Sequence, residues 1–171
     1  MAVSDELRAI RERTVREHME SENVHDFDTT IATFEHPRYE LIATGEVHDG
    51  EAAVRAYFAD TRAAFPDQRN EPLLLHHCDD AVVAEFVLRG THRGPLGGLP
   101  PTGRSFECRM AAFFVFEEDR LVAERVYFDT ATILRQLGVA HDPESLAGRA
   151  TTLLSHPVTI GRALLGRLAG R

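Results

Sequence analysis

Helical periodicity marks the first half of the chain. It predicts an amphipathic first helix from Ser4 to Met19, a short second helix from Phe27 to Thr33 and a third helix from Glu51 to Ala64. The second helix must end before Pro37, because the residue ahead of a proline disfavours the helical conformation, and Pro66 stops the third.

Two short extended segments precede the predicted third helix, and longer ones rich in apolar residues fill the second half of the chain. Turn residues separate them, and their spacing predicts four consecutive antiparallel strands that follow two short ones. The predicted strands are Tyr39 to Thr44, Glu46 to His48, Leu73 to Cys78, Ala81 to Arg93, Arg104 to Phe116 and Leu121 to Phe128. Because helices come first and a strand meander second, the sequence predicts an α+β fold in which a curved antiparallel sheet wraps over the N-terminal helices.

Strand periodicity of two sorts the side chains between the two faces of the sheet. One row is purely apolar and must face the interior: Phe106, Cys108, Met110, Ala112, Phe114 and Phe116. In the preceding strand, Phe86 shares an otherwise apolar row with His92. That histidine either lines a pocket or is hydrogen-bonded to a backbone carbonyl.

The last strand runs into Asp129, for which the sequence leaves two roles open. One row of this strand is Leu121, Ala123, Arg125, Tyr127 and Asp129, and the other is Val122, Glu124, Val126 and Phe128. A carboxyl group that lines an apolar cavity has a raised pKa and suits general acid/base catalysis, with His92 and Tyr127 stabilising a developing oxyanion. Alternatively, Asp129 caps a helix from Thr130 to Leu137, which spacing alone favours.

Composition narrows the function classes. The chain has 171 residues, 43% hydrophobic and 27% charged, which suits one domain with a sizeable core. The net charge of -8 disfavours nucleic-acid binding, which relies on clustered cations. No apolar run approaches the roughly 18 residues that cross a bilayer, and Met1 to Ile10 is not signal-like, so a cytoplasmic protein is expected. Cys78 and Cys108 lack metal-ligand spacing and predict free thiols.

Charge also divides the chain. All 19 cationic residues are arginine, which is typical of a GC-rich bacterial genome. Residues 1–138 carry a net charge of -10, whereas residues 139–171 carry +2 and show a basic amphipathic pattern from Ser155 onward. We therefore expect residues 139–171 to be a helical extension that packs against the acidic body or a partner copy. Binding to a membrane surface is the alternative.

Several short motifs match a known pattern. They are Val126 to Asp129, Leu134 to Gly138, Gly90 to Gly94, Gly98 to Arg104 and His48 to Gly50. Together they resemble the SnoaL-like polyketide cyclases, which are ester cyclases of the nuclear transport factor 2-like superfamily. The resemblance covers about Glu6 to Gly138.

This resemblance implies a cone-shaped α+β barrel of the cystatin-like type over residues 1–138, often a homodimer. It also implies an apolar pocket for a small-molecule substrate, with no metal and no organic cofactor. In the polyketide cyclases the aspartate that matches Asp129 is the acid/base of an intramolecular aldol closure. It abstracts a proton from an activated methylene, and the enolate attacks a carbonyl of the same molecule. The expected substrate-binding residues are Arg125, Met110, Phe86, Tyr57 and Phe114.

Two positions depart from the family pattern. Arg125 stands where many relatives carry tryptophan, and Val115 where some cyclases carry histidine. Arg125 can pair with Asp129 and lower its pKa, which makes a weaker base. Three functions stay open: a cofactor-independent cyclase, lyase or isomerase; an epoxide hydrolase or dehydratase in which Arg125 bridges Asp129 and a second acid; and a non-catalytic small-molecule-binding protein.

Overall fold

The computed structural model describes residues 3–169 and contains six helices and six strands within that range. The helices are α1 (Asp5–Asn23), α2 (Phe27–Ala32), α3 (Glu51–Ala64), α4 (Thr130–Gln136), α5 (Leu146–Ser155) and α6 (Pro157–Ala169). The strands are β1 (Arg38–Leu41), β2 (Glu46–Asp49), β3 (Arg69–His77), β4 (Ala81–Thr91), β5 (Ser105–Glu117) and β6 (Arg120–Tyr127). The predicted α+β class is confirmed, with the helices α1 to α3 ahead of a strand meander.

The sheet is curved and open, with the strand order β2-β1-β6-β5-β4-β3. Strands β3 to β6 form the predicted antiparallel meander. The sheet is not antiparallel throughout, because β1 pairs with β6 in parallel. This pairing sets Tyr39 beside Glu124, and the register of β5 with β6 sets Phe114 on the other side of Glu124.

Helix α1 lies against the sheet through one narrow stripe. Ser4 caps its first turn by accepting a hydrogen bond from the backbone N–H of Leu7 at 3.2 Å. The helix runs four residues beyond the predicted end at Met19, to Asn23. Its buried stripe therefore includes Val15, His18, Met19 and Glu22, which follow the spacing of one helix face and bring two ionisable groups inside.

The core lies between the helices and the inner face of the sheet. The apolar row predicted for β5 faces this core, with Phe106, Cys108, Ala112, Phe114 and Phe116 buried and Met110 partly buried. Burial of each large side chain contributes about 1.5–3 kcal/mol to folding. Both cysteines are free thiols, as expected, with Cys78 exposed and Cys108 buried.

The C-terminal segment forms two helices where one was expected. The break falls at His156, directly before Pro157, because a residue ahead of proline leaves the helical region. Helices α5 and α6 pack against each other. Five of their apolar side chains are exposed and do not make the expected packing against the acidic body: Leu146, Leu153, Leu154, Val158 and Leu165. The side chains of Leu164, Arg167, Leu168 and Arg171, also part of the expected basic helix, lie outside the described residues. Within residues 3–169, no helix combines the length and the apolar character needed to cross a bilayer.

Candidate functional site

A partly enclosed cavity lies between α1, α3 and the inner face of the sheet. Its volume is about 40 Å³. The apolar lining is Met19, Phe58, Phe86, Leu88, Met110, Phe114 and Val126, and the polar lining is Glu22, Tyr39, Tyr57, Arg62, Gln68, Asn70 and Glu124. Four of the expected substrate-binding residues are therefore on this cavity: Met110, Phe86, Tyr57 and Phe114.

Two carboxyl groups reach the cavity from opposite walls. Glu22 comes from the last turn of α1, one turn after His18 on the same helix face. Glu124 comes from β6, where it shares the inward row with Val126. Both glutamates are buried, with 8% and 5% of their surface exposed. Ligand atoms of His18, Glu22 and Glu124 all lie within 4.8 Å of one another.

A chain of hydrogen bonds holds His18 in place. Its Nδ1 lies 2.8 Å from the hydroxyl of Thr33, which itself donates to the backbone carbonyl of Thr30 at 2.6 Å. The Thr33 hydroxyl proton is thus already used, so His18 Nδ1 carries the proton that this contact requires. On the other side of the ring, Nε2 lies 2.6 Å from the hydroxyl of Tyr39.

The same chain continues to Glu22. The Tyr39 hydroxyl donates to Glu22 Oε1 at 3.1 Å, and the Asn70 side-chain amide donates to Glu22 Oε2 at 2.6 Å. Both oxygens of Glu22 therefore have hydrogen-bond donors. Glu22 is a fixed member of the network, with little freedom to turn toward a ligand.

Glu124 differs from Glu22 in having a carboxylate oxygen, Oε2, that is buried and accepts no hydrogen bond. Its Oε2 lies 3.2 Å from His18 Nε2, within ion-pair distance. The single proton on that nitrogen points to the closer Tyr39 hydroxyl, and Glu124 Oε2 is left buried without a hydrogen-bond donor. A buried carboxylate oxygen with no donor is costly, and such atoms concentrate where a ligand or a proton transfer uses them.

The electrostatics of the cluster favour retention of protons. Burial, and then the neighbouring charge of Glu124, raise the pKa of Glu22 above its ordinary value. For His18, burial alone would lower the pKa, but the contact with Glu124 outweighs it and the net shift is upward. Because the charge of Glu124 lies so close, Glu22 holds its proton more tightly than an isolated carboxyl group does.

The cluster of His18, Glu22 and Glu124 also has the residue types of a metal site. However, both ring nitrogens of His18 and both oxygens of Glu22 already make hydrogen bonds within the protein. A cation would have to displace Tyr39 and Asn70 from those atoms. The donor set therefore fits a proton-sharing network better than a metal centre.

Two further polar residues come from α3. Tyr57 packs its ring against His48 at 4.7 Å between ring centroids, and burial raises the pKa of its hydroxyl, which therefore stays protonated as a hydrogen-bond donor. Arg62 lies one turn later and places its guanidinium 5.4 Å from the centre of the Phe27 ring. Tyr57, Arg62 and Gln68 are the partly exposed polar residues of the lining, and they mark the side on which the cavity approaches solvent.

Asp129 lies elsewhere, as the N-cap of α4. Its Oδ1 accepts a hydrogen bond from the backbone N–H of Ala131 at 2.9 Å, and its Oδ2 accepts one from the Thr132 hydroxyl. Those bonds lower the pKa of Asp129, so the raised pKa expected for a cavity aspartate was wrong. The side chain is 57% exposed and is not part of the cavity lining. The structure thus shows the capping role, while the acid/base role of Asp129 stays a prediction.

Tyr127 and Arg125 share the solvent-exposed face with Asp129. Tyr127 is 44% exposed and packs against Phe113. Arg125 pairs with Glu40 on β1 at 2.9 Å, so the expected pair with Asp129 is not formed. The expectation that Tyr127 and Arg125 reach the pocket was wrong, because the strand alternation of β6 directs the row of Glu124 and Val126 inward instead.

His92 is fully buried but in a second apolar cluster. Its Nδ1 accepts a hydrogen bond from the backbone N–H of Thr102 at 3.2 Å, and its ring packs against Phe65 at 5.4 Å between centroids. The partner is a backbone amide where a carbonyl was expected. The structure brings His92 together with neither Asp129 nor the cavity lining described above.

Sequence reasoning missed His18, Glu22, Tyr39 and Glu124. Two signals were available. The stripe of Val15, His18, Met19 and Glu22 has helical spacing, and Glu124 interrupts an otherwise apolar strand row. Ionisable residues inside apolar rows are uncommon unless they are paired or functional.

Comparison with known proteins adds independent findings. A sequence profile described as SnoaL-like polyketide cyclase matches residues 9–137. The nogalonic acid methyl ester cyclase of Streptomyces nogalater is 33% identical over 106 residues, which cover 60% of this chain and 79% of that protein.

Solved structures agree with that match. IdmH of Streptomyces antibioticus, a proposed polyketide cyclase, is 28% identical with a TM-score of 0.65, and the alignment covers 75% of this chain and 99% of that one. An NTF2-like protein of unknown function from Burkholderia pseudomallei is 21% identical with a TM-score of 0.64, over 75% and 97% of the two chains, and has the same fold. The expected family resemblance and NTF2-like fold are confirmed.

Proposed function

Because the chain belongs to the SnoaL-like polyketide cyclase family, we propose that it closes a ring in a hydrophobic, oxygenated small molecule of the polyketide type without a cofactor. The reaction takes place in the cavity between α1, α3 and the sheet. One observation carries the assignment of the acid/base: Glu124, which lines the cavity, has a buried carboxylate oxygen without a hydrogen-bond donor.

Glu124 is the acid/base of this reaction. Its free oxygen takes a proton from a methylene that lies between carbonyl groups, and the resulting carbanion carbon attacks a second carbonyl carbon of the same molecule. A carbon–carbon bond forms, the carbonyl electron pair moves to oxygen, and the proton on Glu124 returns to that oxygen as a hydroxyl. The net change is an isomerisation that requires no oxidant or reductant.

The remaining polar residues support this role. Glu22, with its raised pKa, limits how much negative charge the buried pair holds, and His18 balances the charge on Glu124. Tyr57 provides a protonated hydroxyl toward the developing oxyanion. Apolar lining by Phe86 and Phe114 excludes water, which strengthens these interactions.

The test compares Glu124, on β6, with Asp129, which follows that strand. Glu124→Gln removes the base and keeps the side-chain volume, whereas Asp129→Asn keeps the cap of α4. With a panel of polyketide acids and their esters that includes nogalonic acid methyl ester, ring closure is followed by chromatography and absorbance. Loss of turnover in Asp129→Asn with retention in Glu124→Gln contradicts the proposal and supports the aspartate of the family pattern.

A non-catalytic ligand-binding protein is the second candidate, because the cavity is too small to hold a polyketide against Glu124 unless its lining opens. At about 40 Å³ it is far smaller than the roughly 300–1,000 Å³ of ordinary ligand pockets. Substrate binding therefore requires the lining to open, for which the flexible side chains of Met19 and Met110 are suited. Absence of turnover across the panel, with ligands that still raise the melting temperature, supports this second function.

A further inference from the structure

One cationic group on the cavity is not used by the proposed chemistry. The guanidinium of Arg62 has no carboxylate oxygen within 4.0 Å among the residues that the structure describes, although the chain contains 27 acidic residues. Its Nε is buried and makes no hydrogen bond. A buried guanidinium nitrogen is ordinarily hydrogen-bonded, because an unsatisfied buried polar atom is costly.

The partners that Arg62 does have leave its charge unmatched. Its Nη2 donates a long hydrogen bond of 3.4 Å to the backbone carbonyl of Glu22, at the end of α1, and its face lies over the ring of Phe27. Neither partner carries a full negative charge. The charge of Arg62 lowers the pKa of the Glu22 side chain, but burial and Glu124 raise that pKa on balance.

We propose that Arg62 binds a carboxylate of the ligand, so that the substrate class consists of polyketide-type acids in preference to their esters. The inference rests on the proposed function for the location of the ligand and adds to it the charge of that ligand. A guanidinium offers two parallel N–H groups that match the two oxygens of a carboxylate. Arg62 is one of the partly exposed residues of the lining, whereas Phe86 and Phe114 are buried. The ligand carboxylate would therefore lie toward solvent and its apolar part toward Phe86 and Phe114.

Binding of a fluorescent acid and its ester tests this directly. The chain contains no tryptophan, so the fluorescence of 2-naphthoate and of methyl 2-naphthoate can be followed with little protein background. We expect the wild-type protein to bind the acid about tenfold more tightly than the ester, the factor typical of one charge-assisted hydrogen bond. Arg62→Gln removes this preference for the acid over the ester, and Arg62→Lys keeps part of it.

Arg55→Gln is the matched control. Arg55 lies on the same helix, is exposed and already pairs with Glu51 and Asp28, so its removal changes the net charge equally without touching the cavity. This variant should keep the wild-type preference. Equal affinity of the wild-type protein for acid and ester, including no measurable binding of either, overturns the inference, as does a preference that survives in Arg62→Gln.

The outcomes separate this inference from the cyclase proposal. Turnover that depends on Glu124 without any preference for the acid removes the Arg62 site and keeps the cyclase. A preference for the acid that depends on Arg62, without turnover of any polyketide, keeps the binding site and removes the cyclase.

Discussion

Two carboxylates five positions apart, Glu124 and Asp129, show how the same chemical group acquires opposite properties from its surroundings. Glu124 lies in the inward row of β6, among apolar side chains and a second acid. Asp129 lies just after the strand, in solvent, where backbone and hydroxyl donors satisfy both oxygens and lower its pKa. Satisfied oxygens hold a helix end in place, whereas an oxygen without a donor can exchange a proton with a ligand.

The largest expected effect separates these two groups in catalysis. Glu124→Gln should lower turnover at least about 100-fold, because it removes the acid/base, while Asp129→Asn should leave turnover close to that of the wild-type protein. Initial rates of ring closure with the same panel of polyketide substrates measure the turnover of both variants. Circular dichroism and thermal melting of each variant establish that the fold is retained.

The next effect concerns the network that holds the buried acid. Tyr39→Phe leaves His18 Nε2 and Glu22 Oε1 without their shared partner, which should lower the free energy of unfolding by about 1–3 kcal/mol. Tyr127→Phe, on the exposed face, is the matched control and should change it by less than about 0.5 kcal/mol. Urea denaturation measures both, and similar losses in the two variants would show that the Tyr39 hydroxyl has no special role.

The pH dependence of stability should also differ in sign between the two regions. The raised pKa of Glu22 means that its stabilising contribution is complete below its ordinary pKa and is lost as pH rises through the folded value, at about 1.4 kcal/mol per pH unit across that window. His18, whose pKa is also raised, contributes in the same direction at higher pH. The lowered pKa of Asp129 gives a contribution that is present above its ordinary value and is lost as pH falls.

Glu22→Gln is the variant that isolates the first trend. It should flatten the fall in stability toward alkaline pH, and Asp129→Asn should alter only the acidic end. Melting temperatures between about pH 3 and about pH 9 record both trends. If the fall in melting temperature toward alkaline pH were the same in Glu22→Gln as in the wild-type protein, the pKa of Glu22 would not be raised in the folded state.

The smallest effect belongs to the cap itself. Asp129→Ala removes the acceptors for Ala131 and Thr132, and it should lower the melting temperature by only a few degrees. Asp129→Asn keeps an oxygen acceptor and should be close to the wild-type protein. A loss in Asp129→Ala as large as that in Tyr39→Phe would show that α4 does more than close the domain.

Much of the fold could be predicted because its signals are local. The boundaries of α3 and the inward row of β5 follow from periodicity and from turn residues that lie beside them in sequence. The cap of α4 was one of two predicted roles of Asp129. By contrast, the parallel pairing of β1 with β6 has no local signal, because it joins segments from opposite ends of the domain.

The site was harder to predict than the fold for the same reason. Four of the five expected substrate-binding residues are on the cavity, because an apolar strand row and a helix face specify their direction. The family motif predicts Asp129, at the end of β6, as the acid/base, although the inward row of β6 contains Glu124. Recognition that His18, Tyr39 and Glu124 meet requires the pairing of β1 with β6.

The pairing of Tyr39 with Glu124 has a consequence for biosynthesis. During translation, Tyr39 is synthesised long before Glu124. The parallel pairing of β1 with β6 can form only after nearly the whole domain has left the ribosome. Until then, His18 and Glu22 on α1 lack their contacts with Glu124. The cluster of His18, Glu22 and Glu124 therefore forms in one late step, and a chain that ends before β6 does not form it.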